Sequence, residues 1–258
     1  MRFGILGPVI VTDDGCNRTP RALKLRSLLA LLITQGDQIV STQRLIEELW
    51  GGAPPRTAST GLQVYISKLR RHLGDGVNPQ IVVSHPSGYQ LSLAEHSCDL
   101  TIFQQHLAAA DRAEAAGMPA VEAMELSRAL EIYRGPVLAD VRGSGLLENV
   151  ARQYDESRII AYERRIDLDL RLGYRRNLVG ELYGVVAEYP TWENLHEHLM
   201  LALYRSGRIA EALRVYRQLH RRLVEELGME PGPRLKRLHQ MVLSRDPNLD
   251  PATPYLAS

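Results

Sequence analysis

Residues 56–73 read RTASTGLQVYISKLRRHL, eighteen positions without a single Asp or Glu. Within them Leu62, Ile66, Leu69 and Leu73 recur at steps of four, three and four, which is the spacing of one buried stripe on an α-helix. At about 100° per residue the opposite side then carries Thr57, Thr60, Val64, Ser67, Lys68 and Arg71, with Gln63 and Arg70 on its flanks. Cations neutralise phosphates, and short hydroxyl- or methyl-bearing side chains approach base edges, so such a face suits the major groove of DNA. The plainer alternative is a solvated amphipathic helix. Surface helices of that kind mix acids with bases, which this stretch does not do.

The flanking sequence narrows the choice. Leu45, Ile46, Leu49 and Trp50 form the apolar face of a short preceding helix, capped by Thr42, and Trp50 is expected to wedge this helix against the basic one. Gly51, Gly52, Ala53, Pro54 and Pro55 make the turn between them, stiffened by two prolines. After a turn at Gly74-Asp75-Gly76, residues 81–93 place β-branched residues on both sides of a Pro/Ser/Gly turn, a hairpin pattern. Helix, turn, basic helix and hairpin in this order, through ELWGGAPP, VYISKLRRHL and SGYQL, resemble the winged helix-turn-helix of the OmpR/PhoB type. The resemblance implies that the basic helix enters the major groove, that the hairpin tip with His85, Ser87 and Gly88 reaches the adjacent minor groove or backbone, and that the loop Gly51 to Pro55 touches RNA polymerase. Many relatives carry arginine where His85 stands. Read without the resemblance, the loop is a rigid turn.

The N-terminal residues fit the same domain. Phe3 to Gly7 and Val9 to Thr12 read as short strands around the turn sequence Asp13-Asp14-Gly15. Residues 20–35 form a leucine-rich helix stopped by Gly36, and residues 38–41 a brief strand. The longest apolar run, residues 28–33, is too short to span a bilayer, and no signal-like segment opens the chain, so a cytoplasmic, nucleoid-associated protein is expected. Cys16 and Cys98 lack partners at disulfide or zinc spacing. The net charge of +1 conceals an asymmetry: residues 1–97 hold ten Lys/Arg against seven Asp/Glu, and the remainder twenty-one against twenty-three. The basic excess falls in the half with the DNA-like pattern.

Near Ala94-Glu95-His96-Ser97 the composition turns to alanine, leucine, arginine and glutamate, and strand patterns vanish. Helical periodicity is expected over about 100–116, 119–133, 145–172, 175–188, 191–206, 209–227 and 231–244, between Gly or Pro breaks. Tyr204, Gly207, Ala212 and Tyr216 approximate the small-and-aromatic spacing of a tetratricopeptide repeat, in which a small residue on one helix accepts an aromatic ring from its partner. Ala116-Gly117, Ala123, Ala129 and Tyr133 give a fainter echo.

The segments EIYRGPVLADV, RIDLDLRLG and ENLHEHLMLALYRSGRIAEALRVYRQLHRRLVEELGMEPGPRLKRLHQMVL resemble the bacterial transcriptional activation domain. Joined in this order to an OmpR-type winged helix, they make the chain similar to the actinobacterial antibiotic regulatory protein (SARP) family. The fold class implied is mainly α, with a winged helix-turn-helix at 1–95, an all-α tetratricopeptide-like domain at 96–245, and a disordered tail at 246–258. The resemblance is to the small members of the family, in which no ATPase region is expected to follow. The resemblance implies a pathway-specific activator of antibiotic or other secondary-metabolite genes that binds direct repeats in promoter DNA and recruits RNA polymerase holoenzyme through its sigma region. One module of this size buries only about 600 to 1,000 Å² on DNA, which favours a homodimer on adjacent sites.

Position on the helix assigns the roles. Thr60, Val64 and Ser67 face bases. Lys68, Arg70 and Arg71 grip phosphate, as do Arg56 and Thr57 near the helix N-terminus, where backbone N–H groups favour anions. Lys24 and Arg26 add backbone contacts or are solvated helix-end cations. No phosphate loop, HExxH, GxSxG or dinucleotide fingerprint occurs, so neither catalysis nor a cofactor is expected. His196, His198, His220 and His239 read as packing or surface residues rather than metal ligands. A one-component repressor or ligand sensor, and a helical-repeat interaction adaptor, are the competing classes.

Overall fold

The computed structural model describes residues 1–74, 81–173 and 177–249. The expected turn residues Asp75 and Gly76, the first residues of the helix expected from 175, and tail residues 250–258 lie outside them. The chain divides into two compact units, Met1–Gly117 with Met124–Ala161, and Met118–Ala123 with Tyr162–Ser258.

In the first unit, β1 (Arg2–Gly4), β2 (Ile10–Asp13) and β3 (Cys16–Asn17) form an antiparallel sheet. Asp14 (φ 46°) and Gly15 (φ 81°) make the tight β2–β3 turn, and two positive φ angles match the right-handed twist of the strands they join. The apolar run 28–33 lies inside α1 (Leu23–Thr34), and every residue of it is buried, as a helix apolar around its circumference requires. Then come β4 (Val40–Ser41), α2 (Thr42–Trp50), α3 (Ala58–Leu73), β5 (Val82–His85) and β6 (Gly88–Leu91). Strands β5 and β6 form the expected hairpin, and β6 also pairs with β4, giving the order β4-β6-β5. The cap of α2 is Ser41 rather than Thr42: Ser41 Oγ accepts from Arg44 N at 3.1 Å, while Thr42 N donates to Ser87 O in the wing turn at 3.1 Å.

The compositional change at 94–97 falls inside this unit. Strand β7 (Ser97–Cys98) runs parallel to β1, and Asp99, the first residue of α4 (Asp99–Ala115), turns its carboxylate onto residues 5 and 6. It accepts from Ile5 N and Leu6 N, both at 2.9 Å, and pairs with Arg134 Nη2 at 2.9 Å. Residues 5–9 were expected to be mostly strand. Ile5 and Leu6 are wholly buried but belong to no ladder, so their backbone groups need other partners. The segment EIYRGPVLADV supplies them. Arg134 Nη1 donates to Pro8 O and Arg134 N to Leu6 O, both at 2.9 Å. Leu138 N reaches Gly7 O at 2.9 Å, and Asp140 Oδ1 accepts from Val9 N at 2.8 Å. Leu138 adopts φ 53°, a left-handed conformation uncommon for a branched side chain. Val137, Leu138, Val141, Leu147 and Ala151 join Phe3, Leu28 and Leu62 in one apolar core. Glu48 of α2 accepts from Leu146 N at 3.1 Å in the first turn of α6 (Gly145–Leu172). Between α4 and α6 lies α5 (Pro119–Glu131), and both α5 and α6 contribute residues to each unit.

The second unit contains α7 (Leu178–Glu188), α8 (Glu193–Arg205), α9 (Ile209–Arg222), a π-helical turn at Leu223–Leu227 and α10 (Pro233–Ser244). Consecutive helices pack on one another. Gly207 (φ 74°) turns the chain between α8 and α9, and Ala212 is fully buried there. Tyr216 does not fill the role expected of the repeat aromatic; it stacks on His239 of α10, with ring centroids 3.8 Å apart and planes 6° from parallel. Part of the tail expected to be disordered is docked. Pro247–Leu249 form a 3-10 turn, Leu249 is buried, and its carbonyl accepts from Arg205 Nε at 2.9 Å.

Removing the Asp99 carboxylate leaves two buried amides and Arg134 Nη2 without their acceptor. Asp99→Ala is therefore expected to lower stability by about 3 kcal/mol, and Asp99→Asn by less, read as a shift of the urea midpoint at constant slope.

Candidate nucleic-acid interface

Helix α3 presents the two sides that its sequence spacing implies. Ala58, Leu62, Ile66, Leu69 and Leu73 are buried, while Thr57, Ser59, Thr60, Gln63, Val64, Ser67, Lys68 and Arg71 are exposed. Val64 is 45% exposed, high for an aliphatic side chain on a helix whose apolar stripe is otherwise hidden. The helix has no acid in its first turn and no side-chain cap at Thr57, so the partial positive charge of its N-terminus is uncompensated by the protein. Among the described residues, no carboxylate pairs with Arg56, Lys68 or Arg71. The result is a ridge of hydroxyls, an amide, a methyl-bearing side chain and cations, suited to an anionic grooved surface.

Trp50 at the end of α2 fixes the angle of this ridge. Its ring stacks on Tyr65 of α3 at 5.8 Å with planes 19° apart, and its edge lies 3.4 Å from where a Cβ on Gly61 would sit. The indole is a wedge between helices, as its sequence position suggested.

Four of the expected contact residues have other work inside the protein. Arg70 does not reach outward: its Nε and Nη2 donate to Val82 O at 3.0 and 2.7 Å, and Nη2 also donates to Ser84 Oγ at 2.8 Å. Lying on the flank of α3 rather than its outer face, it is within reach of β5 and ties helix to wing. Lys24 Nζ donates to Leu49 O, one of the carbonyls left unpaired at the end of α2, and lies over the Trp50 ring at 5.9 Å. Arg26 sits 2.8 Å from Asp140 Oδ2 and donates to Pro20 O and Arg21 O. Gly88 is buried, because a Cβ there would fall 1.9 Å from Val40 O; it is the residue that lets β6 approach β4.

The wing tip is thus Pro86 and Ser87, both exposed, between the paired residues His85 and Gly88. His85 is half-buried, its Nε2 2.7 Å from Gln90 Oε1, and Gln90 Nε2 in turn donates to Asp37 O at 2.6 Å. Pro86 lies inside the expected tip from His85 to Gly88, whereas Ser59 is not picked out by the sequence pattern. Ser59 lies too near the buried stripe by angle alone, and its exposure follows from its place in the first helical turn. The loop Gly51, Gly52, Ala53, Pro54 and Pro55 is exposed throughout, with Gly51 (φ 71°) ending α2.

Comparison with known proteins gives two family matches: the C-terminal domain of transcriptional regulatory proteins over residues 19–91 and the bacterial transcriptional activator domain over residues 98–243. The chain is 34% identical to the regulatory protein DnrI of Streptomyces peucetius, covering all of this chain and 98% of that protein. It is 40% identical to the regulatory protein AfsR of Streptomyces coelicolor over 96% of this chain, and there it spans only 25% of the relative's length. Among solved structures it is similar to Mycobacterium tuberculosis EmbR in complex with a low-affinity phosphopeptide, with a TM-score of 0.82 and 34% identity, covering 95% of this chain and 65% of that one.

Arg70→Ala is expected to cost about 1 to 2 kcal/mol of stability and to accelerate amide exchange at Val82–His85. Arg70→Lys should not restore protection, since an ammonium cannot reproduce the forked donation. Unchanged exchange in the wing would mean that the hairpin stands without this tie.

Proposed function

The chain belongs to the actinobacterial antibiotic regulatory protein (SARP) family, which joins an OmpR/PhoB-type winged helix to a bacterial transcriptional activator domain, and from that premise we propose that it is a sequence-specific activator of secondary-metabolite genes. The family is one of transcriptional regulators, not enzymes. The observation that carries the reading is the outer face of α3, where Thr60, Val64 and Ser67 stand exposed with Lys68 and Arg71, which pair with no carboxylate among the described residues, on a helix without acids.

In this reading α3 lies in the major groove, with Thr60, Gln63, Val64 and Ser67 toward base edges and Val64 suited to a thymine methyl. Lys68, Arg71, Arg56 and Thr57 hold the phosphate backbone. Ser87, with Pro86, meets the neighbouring backbone at the wing tip; Arg70, Lys24, Arg26, His85 and Gly88 support the interface from behind. Residues 1–95 serve as the DNA-binding domain and 96–245 as the activation domain. One such module covers too little DNA for useful selectivity, so two protomers on direct repeats, arranged head to tail, are part of the proposal. The exposed loop Gly51 to Pro55 is assigned to contact with RNA polymerase holoenzyme. Its rigidity and exposure support that role. No helix among the described residues is long and apolar enough to cross a membrane.

Footprinting across a salt series, with in vitro transcription by purified holoenzyme on neighbouring promoters, tests the whole reading. Protection of spaced direct repeats with increased transcript is expected; protection with reduced transcript would make the protein a repressor. Lys68→Ala and Arg71→Ala should each weaken binding to all sequences alike and reduce the slope of log K against log salt by about one. Thr60→Ala and Val64→Ala should instead alter preference at single base positions by about 1 to 3 kcal/mol. If the cation variants leave the salt slope untouched, α3 does not face the backbone. Replacing Pro54 and Pro55 by serine should spare DNA affinity and reduce transcript several-fold, whereas full transcription by that variant would leave the loop a simple hinge.

A further inference from the structure

The ring of His85 has one nitrogen fixed and the other open. Gln90 Nε2 donates to Asp37 O at 2.6 Å, and Gln90 Oε1 lies 2.7 Å from His85 Nε2. A main-chain carbonyl only accepts, so the amide nitrogen of Gln90 faces Asp37 and its oxygen faces the ring. Nε2 therefore carries the proton, and in the neutral imidazole Nδ1 keeps a bare lone pair. Nδ1 meets no partner among the described residues, and it is not one of their buried unpaired polar atoms. Asp37 is itself held, its Oδ1 accepting from Leu93 N at 2.7 Å, so the fold rather than solvent sets the tautomer.

His85 ends β5, pairs with Gly88 and precedes the exposed tip residues Pro86 and Ser87. Gly88 brings no side chain over the ring, and Arg70 ties the strand to α3 through Val82 O and Ser84 Oγ. The wing is thus held to the reading helix. In the minor groove of DNA, A·T pairs present only acceptors, whereas a G·C pair adds one donor, the guanine N2 amino group. A bare lone pair is repelled by the first and satisfied by the second.

We propose that His85 is a specificity-determining residue: its Nδ1 accepts from a guanine N2 amino group, so the wing selects a G·C pair in the minor groove next to the major groove that α3 enters. The inference rests on the winged-helix reading above and adds a base preference to it. Nε2 braces the tip from behind, and Nδ1 reads. An arginine at this position has donors alone and would favour the acceptors of A·T pairs instead.

The test uses the full chain and the promoter duplex that footprinting protects, remade as a series with one purine changed in each. Inosine for guanine removes the N2 amino group, and 2,6-diaminopurine for adenine adds it; neither alters the hydrogen-bonding groups of the major-groove edge. Anisotropy titrations at pH about 8, where imidazoles are neutral, should show one minor-groove position per bound protomer that responds. Loss of the amino group there should weaken binding about fivefold, or its addition strengthen binding about fivefold, as one hydrogen bond implies. The response should vanish in His85→Ala and His85→Arg, and shrink in Gln90→Met, which leaves the ring unlocked. Circular dichroism melts check that each variant is folded. If the parent duplex is bound with the expected salt dependence but no position responds, or the response persists in His85→Ala, the proposal is overturned and the winged-helix reading stands. Absence of salt-dependent binding to the parent duplex would overturn both.

Discussion

The first unit depends on the carboxylate of Asp99. Ile5, Leu6, Gly7 and Val9 are buried without being part of a ladder, so their amides must find acceptors elsewhere or pay the cost of dehydration. Asp99 takes the amides of Ile5 and Leu6, Arg134 bridges Asp99 to Pro8 O, and Asp140 takes the amide of Val9. These acceptors lie beyond the wing in sequence. The N-terminal segment of the first unit is therefore completed by residues within the match to the bacterial transcriptional activator domain. A second tie, from Glu48 of α2 to Leu146 N, makes the same connection on the helix side.

This arrangement explains why cations of similar appearance have different uses. An arginine or lysine near an unpaired carbonyl is drawn to it, because a charge-assisted hydrogen bond in a partly buried place outweighs one exchanged with water. Arg70 finds Val82 O, Lys24 finds Leu49 O, and Arg26 finds Pro20 O and Asp140. Lys68 and Arg71 point away from every such group among the described residues and keep their charge at the surface. The division follows from angle around the helix and from what packs beside it.

Local features were readable in the sequence because local physics makes them. The stripe of Leu62, Ile66, Leu69 and Leu73, the Asp-Gly turn before Cys16, the hairpin at 81–93 and the seven helical stretches of the second half follow from periodicity and turn chemistry within a few residues. Spacing could not show that residues 5–9 leave the strand, that Ser41 rather than Thr42 caps α2, or that Tyr216 turns to His239. Each of those outcomes depends on a partner remote in sequence or on a choice between adjacent hydroxyls. The burial of Gly88 is of the same kind: as a glycine in a turn sequence it looks like a wing tip, and only the approach of Val40 O to within 1.9 Å of its absent Cβ shows that it is a pairing residue.

The sequence by itself determined the class of the protein: an acid-free amphipathic helix inside a winged-helix pattern, followed by a helical activator domain whose motifs stand in the family's order. It determined which face of α3 is outward, because a helix of fixed period with one apolar stripe has only one such face. The tertiary structure decided which cations on and around that face are left without a carboxylate among the described residues, and that residues 5–9 are held by Asp99, Arg134 and Asp140. Those facts concern pairs of groups far apart along the chain, and hydrogen-bond satisfaction between distant residues leaves no period or spacing in a sequence to be read.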